Sequence, residues 1–171
     1  FFPHRARRCF RGSRVHFRLD ATVPFGACHH QKVLVIDDRI AFCGGGDIGA
    51  DRWDTVKHRE HDKRRTMPWG EVHGPRHEVM AMIEGPAAKA LGDLARSRWT
   101  TACEPFGGLS LEPVSLGQAP VESYWPAHIK VDLEDVTVGI ARTLPDWRDQ
   151  QEVRETERLH LAAIAAAKRL I

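Results

Sequence analysis

From Arg14 to Asp20 the apolar side chains Val15, Phe17 and Leu19 alternate with polar ones. A period of two marks a strand with one wet face, and a strand is expected there. A turn-rich stretch, Ala21 to Ala27, follows, and then the apolar residues run without interruption through Val33-Leu34-Val35-Ile36. That run predicts a strand over Lys32 to Ile36 buried on both faces. Asp37-Asp38 should turn the chain into a second apolar strand, Ile40 to Cys43, which Gly44-Gly45-Gly46 ends.

The pattern then lapses. Asp51 to Pro75 mixes charges, histidines and two prolines with little period, which reads as a long irregular loop of the kind that lies over a site. A strand is expected over Glu78 to Ile83, and a helix from Gly85-Pro86, with Ala87, Leu91, Leu94, Ala95 and Trp99 as its apolar stripe. Residues 107–127, rich in Gly, Pro and Ser, look like a linker. Val136, Val138 and Ile140 alternate as another strand, and a last helix is expected from about Asp146, with Val153, His160, Ile164, Ala167 and Ile171 on one core-packed face. Strands alternating with helices predict an α/β layered fold, a mixed β-sheet flanked by helices.

Composition changes this picture little. With 42% hydrophobic and 28% charged residues the chain is ordinary for a globular protein, and no apolar run approaches the roughly 20 residues of a membrane-spanning helix. A formal charge of +2 does not argue for nucleic acid, although basic residues cluster at Arg5, Arg7, Arg8, Arg11 and Arg14 and again from Lys57 to Arg65. Cys9, Cys28, Cys43 and Cys103 form no Cys-x-x-Cys pair and suggest buried thiols in a reducing compartment. His58, His61, Asp62, His73 and His77 lack a convincing ligand set and read as a solvated or substrate-facing loop rather than a metal site.

The chemistry lies at the start of the continuous apolar run. On a strand, residues two apart share a side, so His30 and Lys32 would present an imidazole and an ammonium to one ligand. A neutral imidazole can attack phosphorus, while a lysine supplies fixed positive charge where the nonbridging oxygens gather negative charge. Such a route calls for no metal and no cofactor. Asp37, an odd number of positions beyond Lys32, should anchor the turn or strand end. Asp47, after the glycines, could orient an imidazole or bind a phosphate-bound water.

His29-His30-Gln31-Lys32, Asp37, Ala41-Phe42, Gly44-Gly45 and Asp47 together resemble the first catalytic repeat of the phospholipase D superfamily. Arg52-Trp53-Asp54 resembles the segment that follows the glycines in its lipid-acting branch, and Glu84-Gly85-Pro86-Ala87-Ala88 the next strand-to-helix junction. The resemblance runs from about Arg14 to Trp99. It implies a layered fold in which two such repeats share one site across a pseudo-twofold axis. His30, Lys32 and Asp37 would be the catalytic set, with Gly45, Asp47, Arg52 and Trp53 at the substrate. His30 would form a phosphohistidine, and a histidine of the second repeat would protonate the leaving alcohol. Water would then give phosphatidic acid, and an alcohol would give phosphatidyl transfer.

A second copy of the motif is missing. His128, Lys130 and Asp135 match its bare spacing, but Val131-Asp132-Leu133-Glu134 is not an apolar strand and no Gly-rich turn follows. The chain also begins without Met and ends inside an expected helix, so it reads as a fragment. The expected division is residues 1–106 for the catalytic part of the first repeat, 107–127 for a linker and 128–171 for the start of the second repeat. Phospholipid is the expected substrate, with the second repeat in a missing C-terminal part as partner and peripheral membrane contact as a further possibility. A cytoplasmic or membrane-peripheral location is favoured, and nucleic acid is disfavoured. The alternatives are a homodimeric endonuclease of the same superfamily and a non-catalytic relative that binds phosphate or lipid.

Overall fold

The computed structural model describes residues 3–104, 111 and 123–169. In chain order its elements are α1 (Pro3–Phe10), β1 (Val33–Ile36), β2 (Ile40–Gly44), a 3-10 turn (Ala50–Arg52), β3 (Met80–Glu84), α2 (Pro86–Cys103), β4 (Thr143–Leu144), β5 (Val153–Arg154) and α3 (Glu155–Ala166). The described residues form two compact units, one of residues 30–97, 111 and 123–129 and the other of residues 3–29, 98–104 and 130–169. The α/β class expected from the pattern holds. Most of the expected linker lies outside the described residues.

The first unit is a three-stranded sheet in the order β1-β2-β3, and both strand pairs are antiparallel. Val33 faces Cys43 and Val35 faces Ala41 across the first pair, and Ala41 faces Ile83 across the second. The β1–β2 hairpin closes through Asp37 and Asp38, both at positive φ (52° and 55°), with the Arg39 N–H donating to Ile36 C=O at 3.0 Å. Aspartate tolerates this left-handed region better than most residues, and a turn of that hand matches the twist of the strands it joins. Gly85, at φ 87°, turns β3 into α2, and Pro86 opens the helix where a missing N–H costs nothing.

Helix α2 covers one face of the sheet. Ala41, Ala88 and Leu91 are buried together, ringed by Val33, Val35, Cys43, Ile83 and Leu94. The small Ala41 and Ala88 sit at the centre of this helix–sheet contact. The expected stripe is therefore shifted: Ala88 is buried while Ala95 is exposed. Among the described residues nothing fully covers the opposite sheet face, where Leu34 and Ile36 are each 49% exposed. The expectation of a strand buried on both faces is thus corrected: β1 alternates, because a single helix layer packs against it.

In the second unit the expected strands at 14–20 and 136–140 are absent. Neither segment is a strand, and period-two patterning gives one only where a regular ladder of hydrogen bonds to a neighbouring strand forms. The last helix starts at Glu155 rather than near Asp146, because β4 and β5 pair as a short hairpin across that stretch. Its start is fixed by Arg142, whose N–H and Nε donate to Glu155 Oε2 at 2.9 and 2.8 Å, while the Glu155 N–H donates to Arg142 C=O. The Arg142 hydrogen bonds hold the Glu155 carboxyl down at about 2. No described residue of α3 is buried, and Leu159, Leu161 and Ile164 are exposed, so its apolar face is not the core-packed one expected. Cys43 and Cys103 are sheltered, as expected of thiols, but Cys9 and Cys28 are exposed.

Candidate active site

The site forms where β1 begins, because the antiparallel ladder extends one step past β1: the Gly44 N–H donates to Lys32 C=O at 3.4 Å. This keeps Lys32 on the side of the sheet that Leu34 and Ile36 occupy. Close approach continues at the glycines. A Cβ on Gly44 would stand 2.4 Å from Val79 O, and one on Gly45 would stand 3.0 Å from Glu78 Oε2. The Gly45 N–H donates to Val79 C=O at 2.8 Å, which steers the chain beyond β2 toward Asp47.

Asp47 gathers the cations. Its Oδ1 lies 3.3 Å from Lys32 Nζ and its Oδ2 lies 3.6 Å from Arg52 Nη2. The Lys32 side chain is only 10% exposed and also donates to His30 C=O at 3.2 Å. His30 itself is exposed, and its imidazole makes no hydrogen bond among the described residues. Four of the expected residues, His30, Lys32, Asp47 and Arg52, are thereby linked in one hydrogen-bonded and ionic chain. A largely buried lysine and an arginine held on one carboxylate form a site whose positive charge is fixed in place, the arrangement an anionic oxygen group would meet.

The other expected residues stand apart from that chain. Asp37 is exposed in the hairpin turn, and its carboxylate has no partner among the described residues. The anchoring expected of it is done by its neighbour Asp38, which is buried and accepts from Arg96 Nη1 of α2 at 2.8 Å. Trp53 is half-exposed with the Arg64 guanidinium 4.9 Å over its ring.

The loop after Arg52 forms no helix or strand, as expected, but side-chain bonds hold it in a defined arrangement. Arg65 is fully buried: its Nη1 donates to Asp54 Oδ1 at 3.1 Å and its Nη2 to the carbonyls of Arg59 and Glu60. Asp54 Oδ2 accepts the Arg76 N–H at 2.8 Å, and Thr66 bridges Val72 to close a tight turn around Trp69. Burial raises the Asp54 carboxyl, but donors from Arg76, Thr55, His58 and Arg65 outweigh it and hold the group well below the usual carboxylate range. Two structural residues were thus missed in the sequence, Asp38 and Arg65. For Asp38 a signal existed, since Gly92 sits inside a helical pattern and a glycine there marks close approach of another group.

Residues 128–135, which match the motif spacing a second time, form turns and bends rather than a strand. Among the described residues no three His, Cys, Asp or Glu side chains gather as a metal site would require.

The chain is 28% identical to cardiolipin synthase B of Salmonella typhi over 144 residues, 82% of this chain and 26% of that protein. It is 31% identical to phospholipase D gamma 1 of Arabidopsis thaliana over 100 residues, 46% of this chain and 12% of that protein. It is also 30% identical to phospholipase D B of Dictyostelium discoideum over 116 residues, 53% of this chain and 10% of that protein. The chain therefore spans about a quarter of the length of the cardiolipin synthases it matches, and less of the phospholipases. No family model and no solved structure matches it. With the motif and its setting, these similarities indicate the class the chain resembles: it is similar over part of its length to lipid-acting members of the phospholipase D superfamily.

Proposed function

We propose that the chain carries the first half of a phospholipase D-type phosphodiesterase or phosphatidyltransferase acting on glycerophospholipids. The observation that carries this reading is the Lys32–Asp47–Arg52 cluster beside the exposed His30, in a chain whose relatives include a cardiolipin synthase and phospholipases D. In the proposed reaction the neutral His30 imidazole attacks phosphorus, a P–N bond forms, and the P–O bond to the head-group alcohol breaks. The leaving oxygen takes its proton from a second histidine, supplied by another repeat of the same kind. Water or an alcohol, deprotonated by that second histidine, then attacks phosphorus and releases His30, giving phosphatidic acid or a new phosphatidyl ester.

Lys32 and Arg52 hold the nonbridging oxygens, Asp47 keeps the two cations in place between turnovers, and Gly45 leaves room beside them. Trp53 flanks the entering lipid. Asp37 acts only through the turn it occupies. Residues 1–106 form the catalytic part of the repeat and residues 128–171 begin the next one. Since one repeat supplies one histidine, residues 1–171 alone should turn over little or nothing.

The test uses phosphatidylcholine and ethanol, with phosphatidylethanol as the product measured. A protein that joins this chain to a second His-x-Lys-x-x-x-x-Asp repeat should form it, and His30→Asn should lower the rate at least about a thousandfold with the fold intact. Product from residues 1–171 as a monomer, or an active His30→Asn variant, would overturn the mechanism. If no phospholipid reacts and a dimer of this chain cuts DNA, the endonuclease reading replaces it.

A further inference from the structure

Six arginines, Arg5, Arg7, Arg8, Arg11, Arg14 and Arg18, lie between Pro3 and Leu19 without one carboxylate among them. With a formal charge of only +2 for the whole chain, the remainder is net negative, so the positive charge is concentrated here. Many arginines elsewhere are paired: Arg52, Arg64, Arg65, Arg76, Arg96 and Arg142 each stand within 4 Å of a carboxylate oxygen. Arg7, Arg8, Arg11, Arg14 and Arg18 have no such partner among the described residues, and all five are exposed.

The segment has a defined shape. Helix α1 places Ala6, Cys9 and Phe10 on one stripe and Arg7 and Arg8 off it, with Arg11 in the turn that follows. The chain then turns, with the Ser13 N–H and hydroxyl both donating to Phe10 C=O, and Gly12 takes φ 76° with open space around it. The stretch that follows meets the helix through Phe17, whose ring centroid is 6.1 Å from that of Phe10. The helix, the turn and the stretch after it, which share one small aromatic contact, therefore all carry exposed arginines. Among them Phe10, Val15 and Leu19 are exposed.

We propose that residues 3–19 dock the protein on an anionic phospholipid surface. Uncompensated arginines meet the negative potential of such a surface, and each one at the interface strengthens partitioning several-fold. The exposed apolar side chains between them can enter the boundary between head groups and acyl chains, for which a nucleic acid groove offers no counterpart. This inference stands apart from the catalytic reading, because binding to vesicles requires no turnover and no second repeat.

The experiment is co-sedimentation of the chain with vesicles of phosphatidylcholine alone and of an equal mixture of phosphatidylcholine and phosphatidylglycerol. Binding is expected only to the mixed vesicles, and should weaken steeply as salt shortens the screening length. Replacing Arg7, Arg8, Arg11 and Arg14 together by Gln should weaken it at least about tenfold, while the same four changed to Lys should preserve it. Because all four side chains are exposed, circular dichroism of both variants should match the parent. Failure of the parent chain to bind mixed vesicles overturns the proposal. So does equal binding to the neutral vesicles, a Gln variant that binds like the parent, or a Lys variant as weak as the Gln one. A preference for duplex DNA over mixed vesicles at the same salt overturns it in favour of nucleic acid.

Discussion

At the scale of single residues, neighbouring aspartates have opposite fates. Asp37 belongs to the motif but is solvated, so Asp37→Asn, which also suits positive φ, should change stability by less than about 0.5 kcal/mol. Asp38→Ala removes a buried acceptor from Arg96 and should cost about 1–2 kcal/mol, read from the urea midpoint. Gly92 makes that pair possible, since a Cβ there would stand 2.0 Å from Asp38 Oδ1. Gly92→Ala should therefore destabilise the parent yet be neutral or stabilising when Asp38 is already Ala, because the clash is gone and alanine favours the helix by about 1 kcal/mol. Equal cost in both backgrounds would show that the two residues do not meet. Within the proposed site, Lys32→Gln should lower kcat/KM at least about a hundredfold, since a fixed cation is lost where charge develops.

At the scale of elements, what was legible in the sequence is what depends on near neighbours. The β1–β2 hairpin, the turn at Asp37-Asp38, β3 and the start of α2 follow from apolar runs and turn chemistry within a few residues. The site was legible for the same reason, because His30, Lys32, Asp47 and Arg52 lie on one hairpin and its exit. Val15, Phe17 and Leu19 misled because alternation is necessary for a strand but a partner is what makes one. The loop from Asp54 to Arg76 was opaque because its order comes from one buried arginine that grips Asp54 and the carbonyls of Arg59 and Glu60, which leaves no period in the sequence. Asp54→Asn should loosen it. Amide exchange at Arg76 and Thr55, whose N–H groups donate to Asp54, should speed up at least about tenfold, while β2 amides hold. Unchanged exchange at Arg76 would count against Asp54 as the organiser of that loop.

For the whole molecule, the balance between apolar burial and charge pairing sets the response to acid. Among the described residues few apolar side chains are deeply buried, while Leu34, Ile36, Leu159, Leu161 and Ile164 are exposed, so the loss of polar pairing in acid should be visible in the melting temperature. Carboxyls in both units are shifted the same way. Glu155 is lowered from 4.5 to about 2, chiefly by Arg142, and Asp93 is lowered by Arg96 and Lys89. Asp20 is also lowered, because donors from Thr22 and the charge of His29 outweigh its burial. A carboxyl whose folded pKa lies below its unfolded one stabilises the fold fully above the unfolded value, and that contribution is lost as pH falls toward the folded value. The melting temperature should thus be flat from neutrality to about pH 5 and decline steadily from there to about pH 2. These groups are solvated enough for salt to screen part of their pairing, so added salt should narrow the decline. Glu155→Gln should lower the plateau and flatten the slope below pH 4.5, since its proton uptake is removed from the unfolding equilibrium. A melting temperature that does not change between pH 5 and pH 2 would mean that apolar packing, not these pairs, holds the two units together internally.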